Sequence, residues 1–237
     1  LLLILLVESL WIFIISPRLT IGKIFLESDI DISDEKLLEI LDLNDKTWTS
    51  LDEESVQKRL ESYPMIREAS VSRVFPDGLR VYIFRRRPLV VALFGEGGVS
   101  LVVLVDEEGY IIQTDSKTNS VDLPIISGIF PPTLGTRLPE SMRQILSDLS
   151  RLKTDEAELF DLISEIEFLQ HDGNGYDLKL YMNHIPVPVL IDMINPDSVR
   201  HALIVIDALE RTSSEPIEIA DIRGGHVTYK PAGGHDG

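Results

Sequence analysis

The sequence predicts an α+β protein: an N-terminal transmembrane helix, a β-α-α-β-β domain, then a β-rich domain with two helices. Three observations predict it. Residues 1–16 are an almost unbroken apolar run. From there to about residue 90 the hydrophobic period switches from two to three or four and back to two. Beyond residue 90 the period is mostly two, punctuated by glycine turns and by two amphipathic helical stretches.

The opening LLLILLVESLWIFII is interrupted only by Glu8 and Ser9, and Pro17 and Arg18 close it. A spanning helix needs about 20 apolar residues. Because residue 1 is Leu, residues 1–16 read as the visible part of a transmembrane helix, with Trp11 at the interface. A cleaved signal peptide is the alternative, but no small-x-small cleavage pattern follows Ile15. Arg18 and Lys23 lie downstream, yet long domains cross membranes largely regardless of charge, so orientation stays open.

Ile21–Ile30 is rich in β-branched and aromatic residues and predicts a strand. Ser33 is placed to cap a helix whose stripe is Leu37, Leu38, Ile40 and Leu41. A second helix is expected from Ser50, with Glu53 completing a capping box and Pro64 ending it. Ala69, Val71 and Arg73 then alternate with serines. Phe75-Pro76-Asp77-Gly78 makes a turn, and Leu79, Val81 and Ile83 return as a strand. A three-stranded sheet under two helices is the economical way to bury these faces.

Strands follow at 90–94 and 101–114, the latter folded into a hairpin at Glu107-Glu108-Gly109. LPIISG (123–128) is a loop or short strand. Helices are expected at 139–152, with Pro139 in the first turn, and at 196–211, capped by Asn195. Between them lie a hairpin over 165–182 and a strand at 187–191, where Pro188 demands an edge or a bulge. The alternating stretch 217–230 closes the fold around Gly224-Gly225, and residues 232–237 read as a disordered tail. The domains are therefore expected at 17–90 and 91–231.

Composition narrows function. With 39 acidic against 22 basic residues the formal charge is −17, which disfavours a nucleic-acid backbone as partner. There is no cysteine, which excludes disulfides, thiol nucleophiles and Cys-based metal sites. Arg85, Arg86 and Arg87 could hold phosphate, but without interleaved aromatics they read as a solvated strand end. The histidines at 171, 184, 201, 226 and 235 form no HxH or HxxxH pair. Asp172-Gly-Asn174-Gly-Tyr-Asp177 lacks the length and terminal Glu of a calcium loop and reads as a hairpin turn. Asp106, Glu107 and Glu108 lie at a hairpin tip, where no cleft raises a carboxyl pKa. Neither catalytic residues, metal, cofactor nor small-molecule substrate is expected. One stretch invites a partner. Arg223, Gly224, Gly225, His226, Val227, Thr228, Tyr229 and Lys230 combine a flexible pair with strand formers, and a terminal strand often lies at a sheet edge open to strand addition.

Several stretches carry a resemblance. Tyr63-Pro64-Met65-Ile66 leads to Ala69-x-Val71-x-Arg73-x-x-Pro76, then Leu79-Arg-Val81 and Arg86-x-Pro88-Leu-Val-x-Ala92. Further on come Val105-Asp106-x-x-Gly109-Tyr110, Leu123-Pro124-x-Ile126-x-Gly128 and Asp221-Ile222-Arg223. In this order they resemble the bacterial cell-division family FtsQ, called DivIB in Gram-positive bacteria. The chain departs from the family pattern at Met65, Arg85 and Gly224.

The resemblance implies a POTRA domain over 17–90 and the family's β domain over 91–231. It implies a single-pass inner-membrane protein, with its bulk on the periplasmic side at the division septum, and no catalytic activity. It implies FtsB-like and FtsL-like coiled-coil partners and, through them, septal peptidoglycan synthesis. In the family the closing strand receives a strand from FtsB, which here points to residues 223–230. The Ile21–Ile30 edge is a second docking candidate. A rival reading is an outer-membrane translocation or assembly factor, since POTRA modules also precede β-barrels. That would require many ten-residue amphipathic strands after the module.

Overall fold

The computed structural model describes residues 20–30, 32–43, 46–96, 99–112, 122–128, 135–170 and 176–232. The chain divides into two compact units, Leu1–Arg86 and Arg87–Gly237.

The first unit runs β1 (Lys23–Ser28), α1 (Asp34–Leu41), α2 (Glu53–Glu61), β2 (Ile66–Val74) and β3 (Gly78–Arg85). The sheet order is β1-β3-β2, with β1 parallel to β3 and β2 antiparallel to it. Period-two burial along β2 and β3 turns Ala69, Val71, Leu79, Val81 and Ile83 toward Leu37, Ile40, Leu41, Val56 and Leu60 of the helices. Ser33 caps α1 as expected, its side chain accepting from Lys36 N–H. The expected capping box of the second helix does not form. Ser50 instead accepts from Thr47 N–H at 3.0 Å, the helix begins at Glu53, and the Glu53 carboxylate accepts from Arg73 N–H at 2.7 Å. A partner on strand β2 has won over the local one.

The second unit holds β4 (Pro88–Glu96), β5 (Val99–Asp106), β6 (Ile111–Ile112), β7 (Ile125–Ser127), α3 (Glu140–Asp155), α4 (Ala157–Asp161), β8 (Ile163–Gln170), β9 (Tyr176–Met182), β10 (Ile185–Ile191), α5 (Pro196–Thr212), β11 (Ile217–Asp221) and β12 (Thr228–Pro231). Among the described residues these strands form one mixed sheet in the order β12-β11-β10-β9-β8-β7-β4-β5-β6. One face packs on α3 and α5 through Leu146, Leu149, Val199 and Ala202 against Ile166, Leu180, Val189 and Ala220. Asn195 caps α5 by accepting from Ser198 N–H at 2.8 Å. The β5–β6 turn is organised by the buried Asp106 carboxylate, which accepts from the N–H groups of Glu108 and Tyr110 at 3.0 and 2.8 Å. β10 lies inside the sheet, and its register shifts between Ile185 and Val189, so Pro188 is accommodated by a bulge and not by an edge.

Two expectations need correction. Among the described residues no helix is long and apolar enough to cross a membrane. The 17-residue α5, for one, carries Asp197, Arg200, Asp207, Glu210 and Arg211. The expected transmembrane segment 1–16 lies outside the described residues, so the single-pass topology, the inner-membrane localisation and the membrane as a partner have no support among the described helices. Nor are there two helices in the second domain. Among the described residues α4 and a 3-10 turn at Arg223–Gly225 join α3 and α5. Five-residue α4 is too short to show a periodic stripe. The calcium-like loop 171–175, two of the five histidines, and tail residues 233–237 also lie outside the described residues.

Candidate functional site

The predicted partner-binding residues do not form one strand. β11 ends at Asp221, Arg223–Gly225 makes the 3-10 turn, and the chain returns antiparallel as β12. Gly224 and Gly225 sit at φ +62° and +76°, a region that glycine enters without strain. Asp221 pairs with Thr228, Ala220 with Tyr229 and Ile219 with Lys230.

β12 is the outer strand of the sheet, and among the described residues nothing pairs with its far side. Two backbone bonds fix which groups point outward. Ile222 N–H donates to Leu190 O of β10, and Ala232 N–H donates to Pro216 O next to β11. Backbone direction alternates along a strand, so Thr228 and Lys230 turn their groups inward to β11 and Tyr229 turns its own outward. Pro231 also faces outward but has no N–H, so it ends the row of free donors.

The side chains divide as well. Tyr229 shares the helix-covered face with buried Ala220, yet remains 49% exposed, and Val227 is 47% exposed. Thr228 shares the opposite face with Asp221. Exposed Lys230 pairs with Glu218 at 3.4 Å.

On that opposite face the turn is held by charge. The Arg223 guanidinium donates from Nη1 to Asp177 Oδ2 of β9 at 2.5 Å, from Nη2 to Asp221 Oδ2 at 2.5 Å, and from Nε to Asp221 Oδ1 at 2.9 Å. Gly224 N–H donates to Asp192 Oδ2, just past β10, at 2.8 Å. Hydrogen bonding to Arg223 holds the Asp221 carboxyl below the usual carboxylate range, and the same bond raises the Arg223 guanidinium. Sequence reading picked Arg223 but missed Asp177 and Asp192. Asp177 is 46 residues away, and only the pairing of β9, β10 and β11 brings it near.

The second candidate, β1, is the outer strand of the smaller sheet. Ile24 and Leu26 pack against the core of that unit, while Phe25 is 46% exposed on the other face.

The first unit is a β-α-α-β-β module with an exposed outer strand, and comparison with known proteins says which kind. Residues 19–86 match the POTRA domain of FtsQ type. "Cell division protein FtsQ" of Syntrophotalea carbinolica is 27% identical over 174 residues, 73% of this chain and 60% of that protein. "Cell division protein DivIB" of Brevibacillus brevis is 26% identical over 198 residues, 79% of this chain and 72% of that protein. The major extracytoplasmic domain of DivIB from Geobacillus stearothermophilus aligns at 19% identity over 54% of this chain and 98% of that one, with a TM-score of 0.34. Residues 19–86 therefore carry a POTRA domain of FtsQ type, and the chain as a whole is similar to proteins of the FtsQ/DivIB family. It spans 60% and 39% of the lengths of two FtsQ relatives it matches.

Proposed function

We propose that this chain is a non-catalytic scaffold of the cell-division machinery. It acts on the extracytoplasmic side, binds FtsB-like and FtsL-like coiled-coil proteins, and through them links early division proteins to septal peptidoglycan synthesis. The FtsQ-type POTRA domain and the similarity to FtsQ and DivIB proteins support the general role. One observation carries the finer reading: β12 is an unpaired sheet edge whose Tyr229 backbone faces outward beside exposed Val227. Main-chain bonds to such an edge supply affinity, and the alternating side chains supply specificity. The partner-binding residues are Arg223, Gly224, Gly225, His226, Val227, Thr228, Tyr229 and Lys230. The mixed sheet, with β4–β7, β7–β8 and β10–β11 parallel, does not favour the outer-membrane assembly reading, since membrane barrels are antiparallel throughout.

Photo-crosslinking in cells tests this, with a probe at His226, Val227, Thr228 or Tyr229 in turn. Adducts to a small coiled-coil division protein, strong at alternate positions, are expected. Adducts only from probes in Ile21–Ile30 would move the interface to β1 and end the proposal for β12.

A further inference from the structure

We infer that Arg223 is a positioning residue: its guanidinium, tied to Asp177 of β9 and Asp221 of β11, pins the turn that delivers β12 to the sheet edge before any partner arrives. The consequence for docking rests on the function proposed above, while the pinning itself does not.

The argument begins with how little else holds β12. Its four residues are exposed or half-buried, and Thr228, Tyr229 and Lys230 are all exposed. Among the described residues it pairs only with β11, itself five residues long, and that ladder is broken by a register shift between Ile217 and Ile219. Nothing lies within 4 Å of the Cβ position at Gly224 or Gly225, so packing does not fix the turn either. A short exposed strand reached through two unconstrained glycines would fray, because ordering each residue costs about 1–2 kcal/mol of backbone entropy.

Charge fills the gap. Three guanidinium bonds at 2.5–2.9 Å and the Gly224 N–H bond to Asp192 at 2.8 Å fasten Arg223 and Gly224 to strands β9 and β11 and to the end of β10. The Arg223 and Asp177 side chains are about one third exposed, at 31% and 30%, so water screens the pair only in part. Bonds with an ionised partner are the stronger kind, and a planar fork that meets two carboxylates fixes direction as well as distance. A lysine would supply charge without the fork. An edge ordered in advance spares an incoming strand the cost of ordering it.

Amide hydrogen exchange on the full chain without a partner tests the pinning. In Arg223→Gln the Thr228 and Lys230 amides are expected to exchange roughly five- to tenfold faster, while Leu178 and Leu180 of the sheet interior keep their rates. Arg223→Lys should recover part of the protection, and Asp177→Asn should reproduce part of the loss. Unchanged exchange at Thr228 and Lys230 in Arg223→Gln overturns the inference, and so does an equal rise across β9 and β10, which would mark a general loss of stability. Crosslinking from Val227 in Arg223→Gln separates the two claims. Faster exchange with weakened adducts supports both. Adducts absent already from the unsubstituted chain would sink the docking reading and leave the pinning standing on the exchange result.

Discussion

The two units each end in an exposed strand, and they hold it by different means. β1 pairs with β3 over six residues, and its Ile24 and Leu26 rest on the hydrophobic core. β12 pairs over four, puts no side chain into the core, and is tied down by Arg223. Loosening β1 therefore means unfolding part of a core, whereas β12 can be altered while the sheet beneath it stays intact. An edge that must meet partners is better built the second way, because its sequence is free of packing duties.

The largest expected effect breaks the comparison at its strong end. Leu79 of β3 is fully buried under the helices of the first unit, so Leu79→Ala should cost that unit about 2–5 kcal/mol. Exchange at Val71 and Val81 should accelerate, while the Lys230 amide is untouched. Acceleration at Lys230 as well would show that β12 depends on that core after all.

A pair of prolines sharpens the weak end. Tyr229 turns its N–H outward, so Tyr229→Pro should leave β12 on the sheet but remove the donor an incoming strand needs. Lys230→Pro deletes an inward bond and should release β12 itself, with exchange at Thr228 rising roughly fivefold or more for a lost hydrogen bond. Loss of crosslinks in both variants, with raised exchange only in the second, is the expected pattern. Raised exchange only in the first would mean that the strand is held the other way round.

Acid should act on the second edge through Asp221. Hydrogen bonding to Arg223 depresses the Asp221 carboxyl. A depressed folded pKa gives stability that is complete above the ordinary value of 3.8 and is lost as pH falls through the lower folded value. The NMR signal of the Arg223 amide, which donates to Asp221 Oδ1 at 3.0 Å, should titrate with a midpoint below 3.8. A midpoint at or above that value would mean the ion pair does not form in solution.

The same contrast explains what was legible in the sequence. In the first unit the period of the apolar residues marked every strand and helix, because burial on one face writes itself into a stripe. Even there the start of α2 was misjudged, since Glu53 bonds across to β2, and no local pattern records a partner 20 residues away. In the second unit Pro188 signalled a bulge or an edge, and only the strand order could choose between them. The stretch 217–230 read as one alternating segment, although Gly224 and Gly225 divide it into strand, turn and strand. Its motif pointed to Arg223, but the carboxylates that give this residue its task are contributed by strands far away in the chain. The anchor expected at 1–16 rested on an apolar run and on the resemblance, and it lies outside the described residues.

The smallest expected effect tests whether the turn before β12 is set by its backbone or by its charges. Gly224 sits at φ +62° with open space where a Cβ would go. Gly224→Ala therefore meets no clash, and its whole cost is the left-handed conformation, about 1–2 kcal/mol. Asparagine tolerates that region better than alanine, so Gly224→Asn should cost less. If Arg223 dominates, the alanine variant keeps β12 in place, and exchange at Lys230 rises only within the few-fold range such a penalty allows. If the backbone dominates, Gly224→Ala releases the strand as fully as Arg223→Gln does, and the double variant adds nothing. Residues in contact seldom add independently, so the informative quantity is the coupling between the two substitutions. Near-zero coupling would mean that the glycines shape the turn while the guanidinium only holds it down, each able to do its part when the other is lost.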